Sequence, residues 1–393
     1  MTGTVFFRGG AGAGFPALHG RAGGVSVTVM TIGVLKEIKA EENRVSMTPA
    51  GVDALVQKGH RVLVENDAGL ASGFPNVAYA NAGAEPVATP EEIFARAGLL
   101  LHVKEIMPSE YGLLREGQVV FTYLHLAANE PQARALMRSG CVAIAYETIQ
   151  LADGRLPLLQ PMSEVAGRMS VQEGAKYLEM IHGGRGVLLG GVPGVEPASV
   201  LILGGGVVGA NAAKMACGLG ASVTLLDASI DRLRYLGDVM PANCKLLMSS
   251  PLLVRELLRE ADLVIGAVLL PGAKTPRLVT RAMLQEMRRG AVMVDVAIDQ
   301  GGCFETSRPT RHSDPVFTVD GVIHYCVANM PAAVARTSTL ALTNATLPYV
   351  MRLADRGWER ALQEDAALAC GLNVCRGKIT FAPVAEALGL HPV

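Results

Sequence analysis

The stretch from Ser199 to Asp227 constrains the fold of this chain more than any other. It opens with an apolar run, Val200 to Leu203, which has the length of a buried parallel strand. Three glycines then follow in G-x-G-x-x-G spacing, and a helical pattern begins at once; the glycines are Gly204, Gly206 and Gly209. A strand, a glycine-rich turn and a helix in this order predict a dinucleotide-binding unit, because the helix N-terminus faces the phosphates.

Each glycine has a separate role in such a unit. Gly204 permits the tight turn, Gly206 lets the backbone approach the pyrophosphate, and Gly209 lets the helix pack on the strand. The next strand pattern ends at Asp227, whose carboxylate is placed to accept hydrogen bonds from an adenosine ribose. Because a carboxylate there would repel a 2′-phosphate, the pattern favours NAD over NADP. The alternative is a capping Asp on an α/β domain without a nucleotide, and it requires all these features to coincide.

Composition narrows the classes of partner. The chain has 393 residues, of which half are hydrophobic and 18% are charged, and its formal net charge is −1. This balance argues against a nucleic-acid or membrane-surface partner. Its seven cysteines are scattered, without a C-x-x-C pair, so we expect reduced thiols, a cytoplasmic location and no metal site.

Strand and helix patterns alternate from Met30 onward, which predicts an α/β fold with two doubly wound, Rossmann-like domains built on parallel sheets. We expect residues 1–29 to be a flexible extension, 161–332 to form the NAD-binding domain, and 30–160 with 333–393 to form a discontinuous first domain. The tail is predicted to be helical, including Trp358 to Leu372. Ser163 is predicted to cap a helix that crosses between the domains, and a further helix is expected near Arg277 to Met287.

Four residues whose side chains could bind an anion or exchange protons follow predicted strands. Arg44, Lys104 and His125 lie in the first domain, and Asp299 follows the strand Ala291 to Ala297 in the second. Ligands of open parallel sheets bind beyond the carboxyl ends of the strands, so these groups should meet in one crevice. Each could also be an ordinary surface or loop residue, but all three in the first domain are predicted at the same sheet edge.

The chain resembles the alanine dehydrogenase family, which also includes the nucleotide-binding component of proton-translocating transhydrogenases. The resemblance covers residues from Met30 to about Leu390. It rests on Glu42-Asn43-Arg44-Val45, Val103-Lys104-Glu105, Tyr123-Leu124-His125-Leu126, Met162-Ser163-Glu164-Val165-Ala166-Gly167-Arg168, Val296-Ala297-Ile298-Asp299-Gln300-Gly301-Gly302 and Ala328-Asn329-Met330-Pro331. It implies interconversion of L-alanine with pyruvate and ammonium, NAD as cofactor, and a homohexamer.

The resemblance also implies roles for particular residues. Arg44 would grip the substrate carboxylate, Lys104 would contact its carboxylate or carbonyl, and His125 and Asp299 would handle protons. Whether Asp299 carries a proton or orients His125 stays open. The residues expected at the cofactor, besides the three glycines and Asp299, are Ser163, Asp227, Arg232, Ser249, Val268, Leu269, Ile298, Arg308, Val327, Asn329 and Met330.

Two other functions compete with this one. A transhydrogenase component would exchange hydride between two nucleotides and would need a membrane partner. A redox-inert NAD-binding sensor could use the same fold. Arg44, Lys104 and His125 favour an enzyme with a small substrate, because a pure nucleotide exchanger has no need for this set.

Overall fold

The computed structural model describes residues 29–268 and 275–390, and two β-sheets organise them. Residues 1–28 of the predicted extension lie outside the described residues. The strands are β1 Thr31–Val34, β2 Arg61–Glu65, β3 Glu85–Val87, β4 Leu99–Leu101, β5 Val119–Thr122, β6 Val142–Ala145, β7 Ser199–Leu203, β8 Ser222–Asp227, β9 Cys244–Met248, β10 Leu263–Gly266, β11 Val292–Asp295, β12 Val316–Val319, β13 Val322–Tyr325, β14 Leu372–Cys375 and β15 Lys378–Ile379.

Helices connect these strands in the alternating order that the sequence predicts. They are α1 Pro49–Gln57, α2 Asn76–Asn81, α3 Pro90–Arg96, α4 Glu130–Ser139, α5 Gln160–Tyr177, α6 Val207–Gly218, α7 Ile230–Val239, α8 Pro251–Leu258, α9 Arg281–Leu284, α10 Ala335–Arg356, α11 Trp358–Glu364, α12 Ala366–Ala369 and α13 Ala382–Ala387. None of the helices in the described parts of the chain is both long and apolar enough to cross a membrane.

The first sheet contains strands from both ends of the described chain. Its order is β15-β14-β6-β5-β4-β1-β2-β3, in which β1 to β6 are parallel. Strands β14 and β15 add an antiparallel edge. The prediction of a helix up to Leu372 was therefore wrong at its end. Leu372 pairs with Ile144 of β6, so sheet pairing overrides the local helical pattern.

The second sheet has the order β12-β13-β11-β10-β7-β8-β9. All of its pairs are parallel except β12 with β13, which form an antiparallel edge. The predicted α/β fold is confirmed, with the difference that both sheets are mixed at one edge.

The central strands of both sheets are buried on both faces. In β4, Leu99 and Leu101 join one apolar cluster and Leu100 joins another on the opposite face. In β7, Ile202 and Leu203 divide in the same way between two clusters. This burial explains why the strands read as uninterrupted apolar runs. One cluster continues from the first sheet through α5 and α10 to the second, so both sheets share part of their core.

Two predicted helix boundaries were wrong. Helix α5 begins at Gln160, with Leu159 at its N-cap, so Ser163 lies in the first turn and does not cap it. A proline in the first turn, Pro161, suits this earlier start because its φ angle is already helical. Helix α9 covers only Arg281–Leu284, because the preceding segment pairs instead with residues near Cys303, as Leu278 N–H donates to the Cys303 carbonyl at 2.8 Å.

Candidate functional site

The predicted cofactor residues lie along one edge of the second sheet. The glycine turn follows β7, Asp227 ends β8, Ser249 follows β9, and Val268 follows β10. Because the chain runs from β7 to β8 and β9 on one side and then returns to β10 on the other, the crevice of this sheet lies between β7 and β10. A dinucleotide site is expected at this reversal.

The glycine turn has the shape that a pyrophosphate requires. Gly204 has φ +100°, a conformation that side chains rarely adopt. A Cβ at Gly209 would overlap the carbonyl oxygen of Gly204, so the helix can approach the strand only with glycine there. Around Gly206, the N-cap of α6, no atom lies within 4 Å of the position that a Cβ would occupy. The helix N-terminus therefore faces open space that fits a diphosphate.

Asp227 is held in place by the backbone beside this turn. Its two carboxylate oxygens accept hydrogen bonds from Gly205 N–H at 2.7 Å and Ser229 N–H at 2.8 Å. Each oxygen retains a lone pair for a further donor, so the geometry fits contact with a ribose. The side chain of Arg232 donates to the Gly205 carbonyl at 2.5 Å and lies over the ring of Tyr235.

The remaining predicted cofactor residues that the structure describes differ in exposure. Arg308 is exposed and lies over the ring of Phe317, whereas Ile298, Val327 and Met330 are buried. Ser163 and Ser249 are partly buried. Leu269 lies outside the described residues. A cofactor role for each of these residues stays a prediction.

Arg44 lies in the loop that follows β1 and is 2% exposed. Its Nε and Nη2 donate to the two carboxylate oxygens of Glu42 at 2.7 and 2.6 Å, in a bidentate ion pair. Burial disfavours both charges, but their mutual attraction prevails: the pKa of Glu42 falls to about 2 and that of Arg44 is raised. Both groups are therefore ionised at neutral pH.

Asn329 of the second sheet joins this ion pair. Its Oδ1 accepts from Arg44 Nη2 at 2.8 Å, and its Nδ2 donates to Glu42 Oε2 at 2.8 Å. Arg44 Nη1 contacts the sulfur of Met162 at 3.0 Å, a weak acceptor. Nε and Nη2 are thus occupied, and Nη1, which contacts only a weak acceptor, retains capacity for a substrate carboxylate.

Lys104 follows β4, the strand beside β1. Burial, followed by the positive charge of Arg44, lowers the pKa of its ammonium group below the ordinary value of 10.5. Its own carbonyl accepts a hydrogen bond from the Thr122 hydroxyl at 2.7 Å, which ties the loop to β5. Two cations thus converge at the carboxyl ends of neighbouring strands, as the sequence predicts for an anionic substrate.

His125 follows β5, the next strand along the sheet. The residue has φ +50° and an exposed side chain, and its ring stacks on that of Tyr123 with centroids 5.9 Å apart. The imidazole is therefore accessible from the crevice while one face is supported. This position suits a group that exchanges protons with a bound substrate.

Asp299 is exposed in a 3₁₀ turn, Ile298–Gln300, after β11. Among the described residues, no side-chain hydrogen bond or ion pair joins it to His125 or Lys104. The preceding carboxylate, Asp295, is fully buried and accepts hydrogen bonds from Ala297 N–H and Cys303 N–H at 3.2 and 2.8 Å. Asp295 thereby fixes the turn that carries Asp299.

Sequence reasoning missed several residues that hold this site together. They are Glu37, Glu42, Glu147, Met162 and Asp295. In sequence, a carboxylate near a loop is usually read as a solvated surface group, and nothing reveals its distant partner. For Glu42 a local signal exists, because it stands two residues from Arg44 within one motif.

Comparisons with known proteins show which family the chain resembles over its length. A family model described as "Alanine dehydrogenase/PNT, N-terminal domain" matches residues 33–166, and its C-terminal counterpart matches 170–382. The chain is 56% identical over 364 residues to an alanine dehydrogenase of Halomonas elongata. The aligned region covers 93% of this chain and 98% of that protein. The chain is 55% identical over 366 residues to that of Bacillus subtilis, at 93% and 96% coverage.

Solved structures show the same likeness. One L-alanine dehydrogenase superposes with a TM-score of 0.89 at 50% identity, covering 92% of this chain and 99% of that one. A transhydrogenase from Sinorhizobium meliloti superposes with a TM-score of 0.76 at 25% identity, covering 89% and 99%. The chain belongs to the alanine dehydrogenase/PNT family.

Proposed function

We propose that this chain catalyses the reversible, NAD-dependent oxidative deamination of L-alanine to pyruvate and ammonium. The observation that carries the proposal is the contact of Arg44 with Asn329, because it joins a buried cation of the first sheet to the cofactor edge of the second. The high identity to alanine dehydrogenases over more than nine tenths of the chain supports alanine as the substrate.

The substrate carboxylate is bound by the two neighbouring cations in this proposal. Arg44 offers Nη1, because Glu42 and Asn329 occupy its Nε and Nη2. Lys104 supplies a second positive charge beside it. A carboxylate shared between them restores the pKa of Lys104 toward its ordinary value, since the added negative charge offsets burial. The α-carbon is then oriented toward the nicotinamide.

Proton transfer falls to His125. Bound NAD supplies the hydride acceptor for the α-carbon of alanine. The resulting imine must add water and then release ammonium through a carbinolamine, and each step requires a proton to be moved near neutral pH. His125 is accessible and is of the side-chain type suited to this exchange, while Lys104 stabilises negative charge that develops on the carbinolamine oxygen.

Asp299 completes the set from the second sheet. Its exposed carboxylate stands on the turn that Asp295 fixes, after β11 of the cofactor sheet. We propose that Asp299 either carries a proton or orients His125. Closure of the crevice around substrate would bring the two groups together and exclude water.

The cofactor choice and the assembly are parts of the same proposal. Asp227 favours NAD, because its charge would repel the 2′-phosphate of NADP. A homohexamer is proposed from the family resemblance alone. Light scattering on the purified chain should give a particle six times the mass of one chain.

The direct test follows NADH absorbance with purified protein, pyruvate and ammonium. Loss of NADH only when ammonium is present identifies an amino-acid dehydrogenase, whereas loss with pyruvate alone would identify a hydroxy-acid dehydrogenase. Oxaloacetate, glyoxylate and 2-oxobutyrate serve as competing substrates. Absence of turnover with every oxo acid would contradict the proposal.

The structural likeness to a transhydrogenase makes nucleotide exchange the second candidate. It predicts hydride transfer from NADPH to an NAD analogue without any oxo acid. The buried Arg44 and the partly buried Lys104 beside it disfavour this function, because two nucleotides do not require a small-anion site. An assay with both nucleotides separates the two functions.

A further inference from the structure

The loop that carries His125 is held by a carboxylate from the neighbouring strand. Glu147 lies in a 3₁₀ turn directly after β6, which pairs with β5. Its Oε1 accepts hydrogen bonds from Leu124 N–H at 3.1 Å and from His125 N–H at 2.6 Å. The side chain of Glu147 therefore binds the backbone of His125 and leaves the imidazole free to act.

The loop that carries Lys104 is held by the same kind of contact. Glu37 follows β1, which pairs with β4, and its side chain is 3% exposed. It accepts hydrogen bonds from Val103 N–H at 2.6 Å and from Lys104 N–H at 3.3 Å. In both loops, a carboxylate at one strand end thus binds the amide groups of the functional residue and of its predecessor.

At His125, these contacts stabilise an unfavourable backbone conformation. A non-glycine residue with φ +50° is disfavoured by its own side chain, so other interactions must maintain this conformation. Two bonds to a single oxygen of Glu147 fix both amide groups that flank the turn. Without them, the backbone could relax and the imidazole would move away from the crevice.

The two carboxylates differ in how they bind. Glu147 uses Oε1 for both amides, and Oε2 makes only a second contact with Leu124 N–H at 3.2 Å. Glu37 divides the two amides between its two oxygens. It also faces the buried imidazole of His102, whose Nδ1 lies 3.2 Å from Glu37 Oε1 and whose Nε2 lies 3.4 Å from Glu110. Glu37 is therefore also a counterion.

We infer that Glu147 and Glu37 are positioning residues for the reaction: Glu147 sets His125 through hydrogen bonds alone, and Glu37 sets the backbone of Lys104 through hydrogen bonds while its charge pairs with His102. This inference rests on the proposed function of His125 and Lys104. It assigns no proton transfer to either carboxylate.

The difference between the two residues supplies the test. Glu147→Ala should lower kcat for alanine oxidation by roughly 100-fold, the scale of a displacement of about 1 Å at a reacting group. The affinity for NADH should stay unchanged. Glu147→Gln retains Oε1 and should recover kcat to within about fivefold of the wild type, because neutral hydrogen bonds are about half as strong as charged ones.

In contrast to Glu147→Gln, the variant Glu37→Gln should not retain activity close to that of the wild type. An amide retains one acceptor oxygen, so it can serve one of the two N–H groups in the present geometry and loses the charge that faces His102. We expect a raised KM for pyruvate, because Lys104 is displaced from the substrate. Full recovery of KM in this variant would overturn the role of charge at Glu37.

Asp365→Ala is the matched control. Asp365 also accepts two backbone N–H groups, from Ala367 at 2.9 Å and Leu368 at 3.0 Å, but it caps α12 rather than a loop of the site. This variant should lose stability and keep its kcat. If Glu147→Ala keeps kcat within about threefold of this control, or if Glu147→Gln is as inactive as Glu147→Ala, the inference falls.

A structural readout keeps the inference separate from the proposed function. In a crystal structure of Glu147→Ala, we expect His125 to leave the left-handed region and its ring to leave Tyr123. An unchanged loop would overturn the inference whatever the activity. Wild-type protein without alanine turnover would instead refute the proposed function.

Discussion

The two strand-end crevices share a layout but differ in the groups that line them. In each sheet the chain reverses beside a central strand, between β1 and β4 in the first and between β7 and β10 in the second. The cofactor edge relies on backbone groups around Gly204 and Gly206, with Asp227 partly exposed. The substrate edge relies on buried ions, above all Glu42 with Arg44.

This difference separates local from long-range requirements. A backbone site needs only the right glycines in consecutive positions, so a short segment specifies it. A buried cation is stable only when a counterion and hydrogen-bond partners surround it. For Arg44 these partners include Asn329, which is 285 residues away. Substitutions of the buried ions at the substrate edge should therefore affect folding as well as activity, and those at the cofactor edge should mainly affect binding.

The largest expected effect concerns His125, which is exposed and so can be changed without loss of buried contacts. His125→Ala should lower kcat by roughly 10²-fold to 10⁴-fold, the usual range for a general acid or base. NADH binding, measured by fluorescence titration, should be unchanged, because the cofactor edge belongs to the other sheet. Turnover close to that of the wild type would remove the proton-transfer role.

Arg44→Ala should affect both folding and binding. It leaves the carboxylate of Glu42 buried without its partner, so the free energy of unfolding should fall by about 3–5 kcal/mol in urea titrations. The KM for pyruvate should rise at the same time. In the double variant Glu42→Met with Arg44→Met, stability should recover while pyruvate binding does not. A single variant as stable as the wild type would contradict the role of the ion pair.

Asp227→Ala tests the cofactor edge, with a smaller expected loss of stability than Arg44→Ala. Loss of a charged hydrogen-bond acceptor should weaken NADH binding by roughly 10-fold to 100-fold. Discrimination against NADPH should decrease, because the repulsion of the 2′-phosphate is removed. The loss of stability should be smaller than for Arg44→Ala, since Asp227 is only partly buried and Ser229, whose amide group it binds, is exposed. Equal NADH affinity in Asp227→Ala and in the wild type would refute the assignment of Asp227 to the ribose.

The smallest effect on catalysis is expected at His102, whose charge instead makes stability depend on pH. Burial opposes its charge, but Glu37 and Glu110 prevail and raise the pKa of the imidazole from 6.5 to about 10. Its stabilising contribution is therefore complete below pH 6.5 and is lost as the pH rises to about 10. The Tm of the wild type should fall by a few degrees relative to His102→Gln over this interval. If Tm depends on pH in the same way in the wild type and in His102→Gln, the charged state of His102 is contradicted.

Sequence reasoning reached the parts of the molecule that local patterns determine. The apolar run Val200 to Leu203 lies in β7 as predicted, and the glycine turn lies between β7 and α6 as its spacing predicts. It failed at Leu372–Cys375, where pairing with β6 decides the structure, and at Ser163, where Pro161 starts the helix earlier.

The same limit applies to the candidate site. Arg44, Lys104 and His125 could be placed on one edge because each follows a strand of a parallel sheet. Glu37 and Glu147 could not be recognised, because their partners are backbone amides that lie 66 and 22 residues away. Such contacts depend on strand order, which the sequence does not display.

The most direct measurement is a crystal structure of the purified chain with NADH and pyruvate. We expect the pyruvate carboxylate between Arg44 Nη1 and Lys104 Nζ, with the keto carbon facing the nicotinamide and His125 within hydrogen-bond reach of the keto oxygen or of an ordered water. Pyruvate bound away from Arg44, or a nicotinamide ring remote from the crevice of the first sheet, would contradict the account.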